Sequence, residues 1–247
     1  MDAAGVIDEI GDGAVGGFAI GDAVMAMVLP SGRYGAYRES LVVAADAVSR
    51  APAGTSHAEA STLPMNGLTA RCSLDQLALQ PGQTIAVTGA AGCYGGYVVQ
   101  LAKADGLRVI ADASSTDERL VSELGADIVV SRGDDIADRI RAVVPGGVDG
   151  LADGAVQNEL AVGALRDGGS YASVRGWRGT DERNITFHRT WVTDYDHRAD
   201  LLDRLRDQVE QGEVTLRVAA LFTPENASEA HRTLEAGGTR GRCVIEF

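Results

Sequence analysis

The sequence predicts an α/β protein, a doubly wound parallel sheet preceded by a β-rich segment. Three observations carry this. From residue 84 onward, short runs rich in β-branched residues alternate with segments of helical period. A glycine cluster, TGAAGCYGG (88–96), joins the first such run to the first such helix. Residues 1–50 instead break into short runs divided by glycine turns, with no helical period. Parallel neighbours need crossover helices and antiparallel ones need only turns, so the two patterns point to two different sheets.

Taken in order, AGVIDEIG, GDAVMAMV and AYRESLVVAAD read as the strands of an antiparallel region. TIAVT (84–88) is the first strand of the parallel sheet, and YGGYVVQLAKAD places apolar residues at helical spacing. LRVIAD is the second strand. STDERLVSELG is a helix, with Ser115, Thr116 and Asp117 as candidate caps and Gly125 at its end. ADIVVS is a third strand and DDIADRIRAVVPGG a third helix; VDGLADG and SYASVRG are the fourth and fifth strands. In the tail, ADLLDRLRDQVEQG is an amphipathic helix, LRVAALF a strand, PENASEAHRTLEAGG a helix opened by Pro224 and closed by Gly237, and GRCVIEF a last strand.

Composition narrows the function classes. The 247 residues carry a formal net charge of −13. Without a basic patch, such a chain is not expected to bind nucleic acid or an anionic membrane. No apolar run approaches the roughly 18–20 residues that a membrane helix needs, and the acidic start MDAAGVIDEIGDG lacks the basic region of a signal peptide. Cys72, Cys93 and Cys243 lie far apart and form neither a zinc pattern nor a disulfide framework, which suits a cytoplasmic location.

The glycine cluster carries the chemistry. Ala90-x-Gly92-x-x-Gly95 is the dinucleotide fingerprint with its first glycine replaced by alanine. Gly92 lets backbone approach a pyrophosphate, Gly95 or Gly96 lets the helix pack against the strand, and the helix N-terminus offers N–H groups to the anion. The expected cofactor contacts are therefore Ala90, Ala91, Gly92, Cys93, Tyr94 and Gly95. The ribose discriminator should follow about 20 residues later, at the end of the second strand. Asp112 stands there and would accept a 2′-hydroxyl, which points to NADH. Strand alternation allows a second outcome, in which Asp112 faces away and small Ala113 and Ser114 stand at the ribose. Those admit a 2′-phosphate, with Arg132 as its basic partner. NADPH is the expected cofactor and NADH the alternative.

The motifs DAAGVIDEIG, GFAIGDAVMA, SHAEASTLPMNGLTA, QPGQTIAVTGAAGCYGGYVVQLAKADG, LGADIVV, DGGSYASV and SEAHRTLEAGGTRGRCVIEF run in order along the chain. In them the chain resembles the zinc-independent quinone oxidoreductase (zeta-crystallin-like) branch of the medium-chain dehydrogenase/reductase superfamily. The resemblance implies a GroES-like catalytic β-barrel from residues 1–52 and 186–247, and a Rossmann domain over 53–185. It implies NADPH, with quinones or α,β-unsaturated carbonyls as substrates, and a homodimer through the Rossmann edge strand. It places Thr69, and with it Asn66, beside the nicotinamide carboxamide. It puts Ser114 and Arg132 at the 2′-phosphate, and Val174 and Arg175 at the flank of the nicotinamide pocket. The lysine common in the helix after the serine pair is replaced here by Asp117 and Glu118.

Zinc-dependent relatives carry His-Glu where Met1-Asp2 stands, and a cysteine where Met65 stands. His57, His188, His197 and His231 have no cysteine at ligand spacing, so no metal is expected. In the family, strands precede the DAAG motif that opens this sequence, so the barrel is expected to be incomplete. Two outcomes stay open: an oxidoreductase, or a non-catalytic NAD(P)H-binding module.

Overall fold

The computed structural model describes residues 1–14 and 16–247. In chain order the strands are β1 (Asp2–Val6), β2 (Ala23–Met27), β3 (Val48–Arg50), β4 (Thr84–Thr88), β5 (Arg108–Ala113), β6 (Ile128–Ser131), β7 (Val148–Asp153), β8 (Leu165–Ser173), β9 (Thr186–Arg189), β10 (Val218–Phe222) and β11 (Arg242–Ile245). The helices are α1 (His57–Ala60), α2 (Pro64–Leu77), α3 (Cys93–Ala104), α4 (Glu118–Glu123), α5 (Ile136–Val143), α6 (Glu159–Val162), α7 (Ala199–Glu210) and α8 (Ala227–Glu235). Two compact units result. One holds residues 1–68 and 192–247, the other 69–191, so the divisions fall at 68/69 and 191/192. The sequence reading placed them at 52/53 and 185/186.

The 69–191 unit is a six-stranded parallel sheet of order β6-β5-β4-β7-β8-β9. The order reverses between β4 and β7, which makes the carboxyl ends of these two strands the switch point where such sheets bind ligands. β4 and β7 are buried along nearly their whole length, as expected of strands covered on both faces. The core packs Ile110, Ile136, Ile140, Leu151, Leu165 and Tyr171 together. The five strands expected here all form; the sixth, β9, was not foreseen, because TFHR is short and half polar.

The other unit holds an antiparallel sheet, β1-β2-β3, and a parallel pair, β10-β11. One buried cluster in it is Ala26, Val28 and Val48, against which Phe18, Tyr34, Leu41 and Val43 pack. The strand expected over AYRESLVVAAD does not form. Leu41 and Val43 pack on the core, Val42 is 89% exposed, and the third strand starts later, at Val48. Buried Asp2 ties three segments together. It accepts from the N–H of Met65 in the first turn of α2 and from Arg242 in β11. Burial pushes its pKa up, and Arg242 opposes that rise.

Two outcomes follow. A Cβ on Gly95 would lie 2.3 Å from the carbonyl oxygen of Gly89, whereas one on Gly146 meets nothing within 4 Å. Gly95→Ala should cost at least about 2 kcal/mol in denaturant unfolding, and Gly146→Ala should stay within about 0.5 kcal/mol of the parent; equal costs would refute the packing account. His197, at φ +57°, pairs with Asp46 at 2.6 Å, which raises its pKa above the ordinary 6.5. The raised value means the pair stabilises fully below pH 6.5 and is lost as pH rises through the folded-state pKa. The melting gap between the parent and His197→Asn, a residue that tolerates positive φ, should therefore narrow between pH 6 and pH 9.

Candidate cofactor site

The turn between β4 and α3 rests on close backbone contact. Gly89 has φ +67°, and a Cβ there would lie 2.8 Å from the carbonyl carbon of Gly154, after β7. Gly95 lies against the Gly89 carbonyl from the other side. Gly92 is extended, at φ −70° and ψ 172°, and caps α3 without a side-chain acceptor. The first turn of α3 thus has no side chain at its cap. These residues fit the pyrophosphate of a dinucleotide, which needs close backbone approach and a helix N-terminus.

Asp112, at the end of β5, is 4% exposed. Its Oδ1 accepts from the backbone N–H of Ala90 at 3.1 Å, and the N–H of Gly89 bonds the same carboxylate. Burial pushes its pKa up; the loop N–H groups and Arg132 pull it down, and Asp153 pushes it further up. Its carboxylate is therefore a brace for the glycine loop. Ala113 and Ser114 come next. Ser114 Oγ donates to Asp117 and lies 2.9 Å from Thr116 Oγ1. Its hydroxyl proton is thus committed within its own turn. Arg132, just after β6, has an exposed side chain with no ion pair among the described residues.

Tyr94, in the first turn of α3, bonds Ser73 of α2 at 2.7 Å. Ser73 reaches Thr190 at 3.1 Å, which donates to Gln76 at 2.9 Å. Burial raises the Tyr94 pKa, so its hydroxyl stays neutral. Thr69 and Asn66 lie on α2 at the i, i+3 spacing that puts both on one helix face, and both are buried. Val174 and Arg175 follow directly after β8, the first half-buried and the second exposed. Cys93 is half-buried at the first helical position. Reasoning from the sequence missed Gly89, the brace role of Asp112 and the Ser73 bond of Tyr94. Only the first had a local signal, since a glycine ending a strand before a tight turn asks for positive φ.

Among the described residues, no three His, Cys, Asp or Glu side chains come together to hold a metal, and no helix is long and apolar enough to cross a membrane. A family model described as a zinc-binding dehydrogenase matches residues 124–245. A zinc-type alcohol dehydrogenase-like protein of Staphylococcus epidermidis is 28% identical over 275 residues, covering 100% of this chain and 81% of its own. A probable quinone oxidoreductase of Schizosaccharomyces pombe is 26% identical over 262 residues, covering 99% of this chain and 78% of its own. The crystal structure of an NAD-dependent alcohol dehydrogenase matches with a TM-score of 0.87 at 28% identity, over 100% of this chain and 81% of the other. The chain belongs to the medium-chain dehydrogenase/reductase superfamily. It is an oxidoreductase of that superfamily, with a Rossmann-like sheet suited to a nicotinamide cofactor. Within the superfamily, the positions that hold His-Glu and a cysteine in zinc-dependent relatives by the resemblance above are here Asp2, an ion-pair and helix-capping carboxylate, and Met65, whose N–H it accepts.

The brace role of Asp112 has a direct consequence. Asp112→Ala should weaken NADPH and NADH alike, and lower stability by about 1–3 kcal/mol through the unpaired loop N–H groups. A loss confined to NADH, read by fluorescence titration, would instead put this carboxylate on the ribose.

Proposed function

We propose that the chain is an NADPH-dependent, zinc-independent oxidoreductase that passes hydride to a quinone or an α,β-unsaturated carbonyl. The observation that carries this is the orientation of Asp112. Its carboxylate is spent on the loop N–H of Ala90, so the strand end offers a ribose no acidic acceptor. What remains there is Ala113, Ser114 and the exposed Arg132, a set that admits a 2′-phosphate.

Each residue then has a role. Gly92 and the first turn of α3 take the pyrophosphate through backbone N–H groups and the helix dipole. Arg132 carries the charge of the 2′-phosphate, because the proton of Ser114 is held by Asp117. The Thr69 hydroxyl orients the carboxamide, beside Asn66, and Val174 and Arg175 flank the reacting ring. When bound, the nicotinamide supplies the hydride. Quinones and enones are electron-poor, so the residues need only orient the acceptor and stabilise the developing oxyanion; water can protonate the product. The Asp2 and Met65 positions, engaged with each other and with Arg242, support a reading without zinc.

The test is a titration followed by an assay. Arg132→Ala should lower NADPH affinity about tenfold, as expected for one lost charge-assisted contact, and leave NADH unchanged. The parent chain should then oxidise NADPH with a quinone. Equal losses for both nucleotides would overturn the cofactor assignment. NADPH binding without turnover of quinones or enones would mark a non-catalytic module.

A further inference from the structure

A chain of hydroxyls starts in the first turn of α3 and runs inward, away from the glycine turn. Tyr94 lays its ring against Gly154, where a Cβ would lie 2.9 Å from Cδ1 of that ring. Its hydroxyl meets Ser73 of α2 at 2.7 Å. Ser73 is fully buried. It carries one proton and has two other acceptors in reach, the Thr69 carbonyl at 3.0 Å and Thr190 Oγ1 at 3.1 Å. The bond between Ser73 and Tyr94 therefore uses the phenol's proton. Thr190 Oγ1 donates to Gln76 Oε1 at 2.9 Å, and the Thr190 N–H donates to the carbonyl of Ser173, the last residue of β8, at 2.8 Å.

The two ends of this chain are the two halves of the candidate site. Tyr94 stands in the glycine turn. At the other end, Ser73 holds the carbonyl of Thr69, and Thr190 holds the strand end that Val174 and Arg175 continue. Those are the residues read above as contacts of the nicotinamide. Packing alone does not need the phenol's oxygen: a phenylalanine would lay the same ring against Gly154, and Ser73 would keep two acceptors. Burying that oxygen costs desolvation, the cause of its raised pKa. What the oxygen adds is a directional bond from α3 to α2, and such a bond fixes where α2 stands relative to the turn.

Resting on the cofactor reading above, we propose that Tyr94 is a positioning residue. Its hydroxyl, acting through Ser73, sets Thr69 and the end of β8 relative to the glycine turn, and so places the nicotinamide half of the cofactor. The side chain itself touches no part of the ligand.

Tyr94→Phe tests this, because it keeps the ring and removes only the link. The full chain and the variant are titrated with NADPH and with 2′,5′-ADP, which lacks the nicotinamide half. The dihydronicotinamide ring is itself fluorescent, and its emission rises when the ring is held away from water. The variant should keep its affinity for 2′,5′-ADP and melt within about 4 °C of the parent. It should bind NADPH about fivefold more weakly, the coupling such a network carries, and lose the rise in emission of the bound ring. Ser73→Ala breaks the same link from the other side, so the double variant should lose no more NADPH affinity than Ser73→Ala alone. Parent-like NADPH affinity and emission in Tyr94→Phe overturn the proposal. An equal loss for both ligands, the sign of a loosened helix, overturns it too, as do additive losses in the double variant. If the parent chain binds neither NADPH nor 2′,5′-ADP, the cofactor reading fails and this proposal fails with it.

Discussion

The site depends on one steric constraint: the first turn of α3 lies closer to the end of β4 than any side chain permits. Gly95 stands so near Gly89 that a Cβ would meet the carbonyl oxygen at 2.3 Å. Gly89 reaches its place through a φ of +67° and lies as tightly against Gly154. Three backbone segments, from β4, α3 and the turn after β7, thus meet without side chains between them. That contact puts the helix N-terminus directly above the sheet's switch point, where its dipole and N–H groups are useful to an anion. Enlarge either glycine and the helix must shift, taking the cradle with it.

Two buried carboxylates then fix the loops around this contact. Asp153 draws four donors to itself, two backbone N–H groups and two hydroxyls, which satisfies a charge that would be costly unpaired. It does so by forcing Val156 and Asn158 into positive φ. Asp112 grips the glycine loop from the next strand over. Asp153 pushes the Asp112 pKa up, and Arg132 pulls it down. Arg132 therefore offsets the Asp112 charge before any ligand binds, and the same guanidinium is the one a 2′-phosphate would need.

The repeating β-α pattern was legible because its signals are local. TIAVT, VIAD and IVVS are dense in β-branched residues, and glycines follow the first and the third. The glycine loop was readable for the same reason, as spacing alone sets its shape. What escaped depended on distant partners. GAYRESLVVAAD has the composition of a strand, yet no neighbour pairs with it, and Leu41 and Val43 are absorbed into a small core instead. β9 was invisible because TFHR owes its extended form to pairing with β8, not to its own residues. Asp112 looked like a ribose acceptor by distance; only the structure, by showing Ala90 N–H at 3.1 Å, gives it a different task. Ser73 and Tyr94 carry no motif, and their bond joins residues 21 positions apart.

The central claim is that the glycine turn between β4 and α3 holds a dinucleotide phosphate, with Arg132 beside its ribose. Backbone amide NMR of the whole chain, titrated with NADPH, tests it most directly. The account expects the largest shifts at residues 89–95, with a second group at Ser114 and Arg132, all saturating together. Shifts absent from the 89–95 segment, or a saturating set elsewhere in the chain, would contradict it.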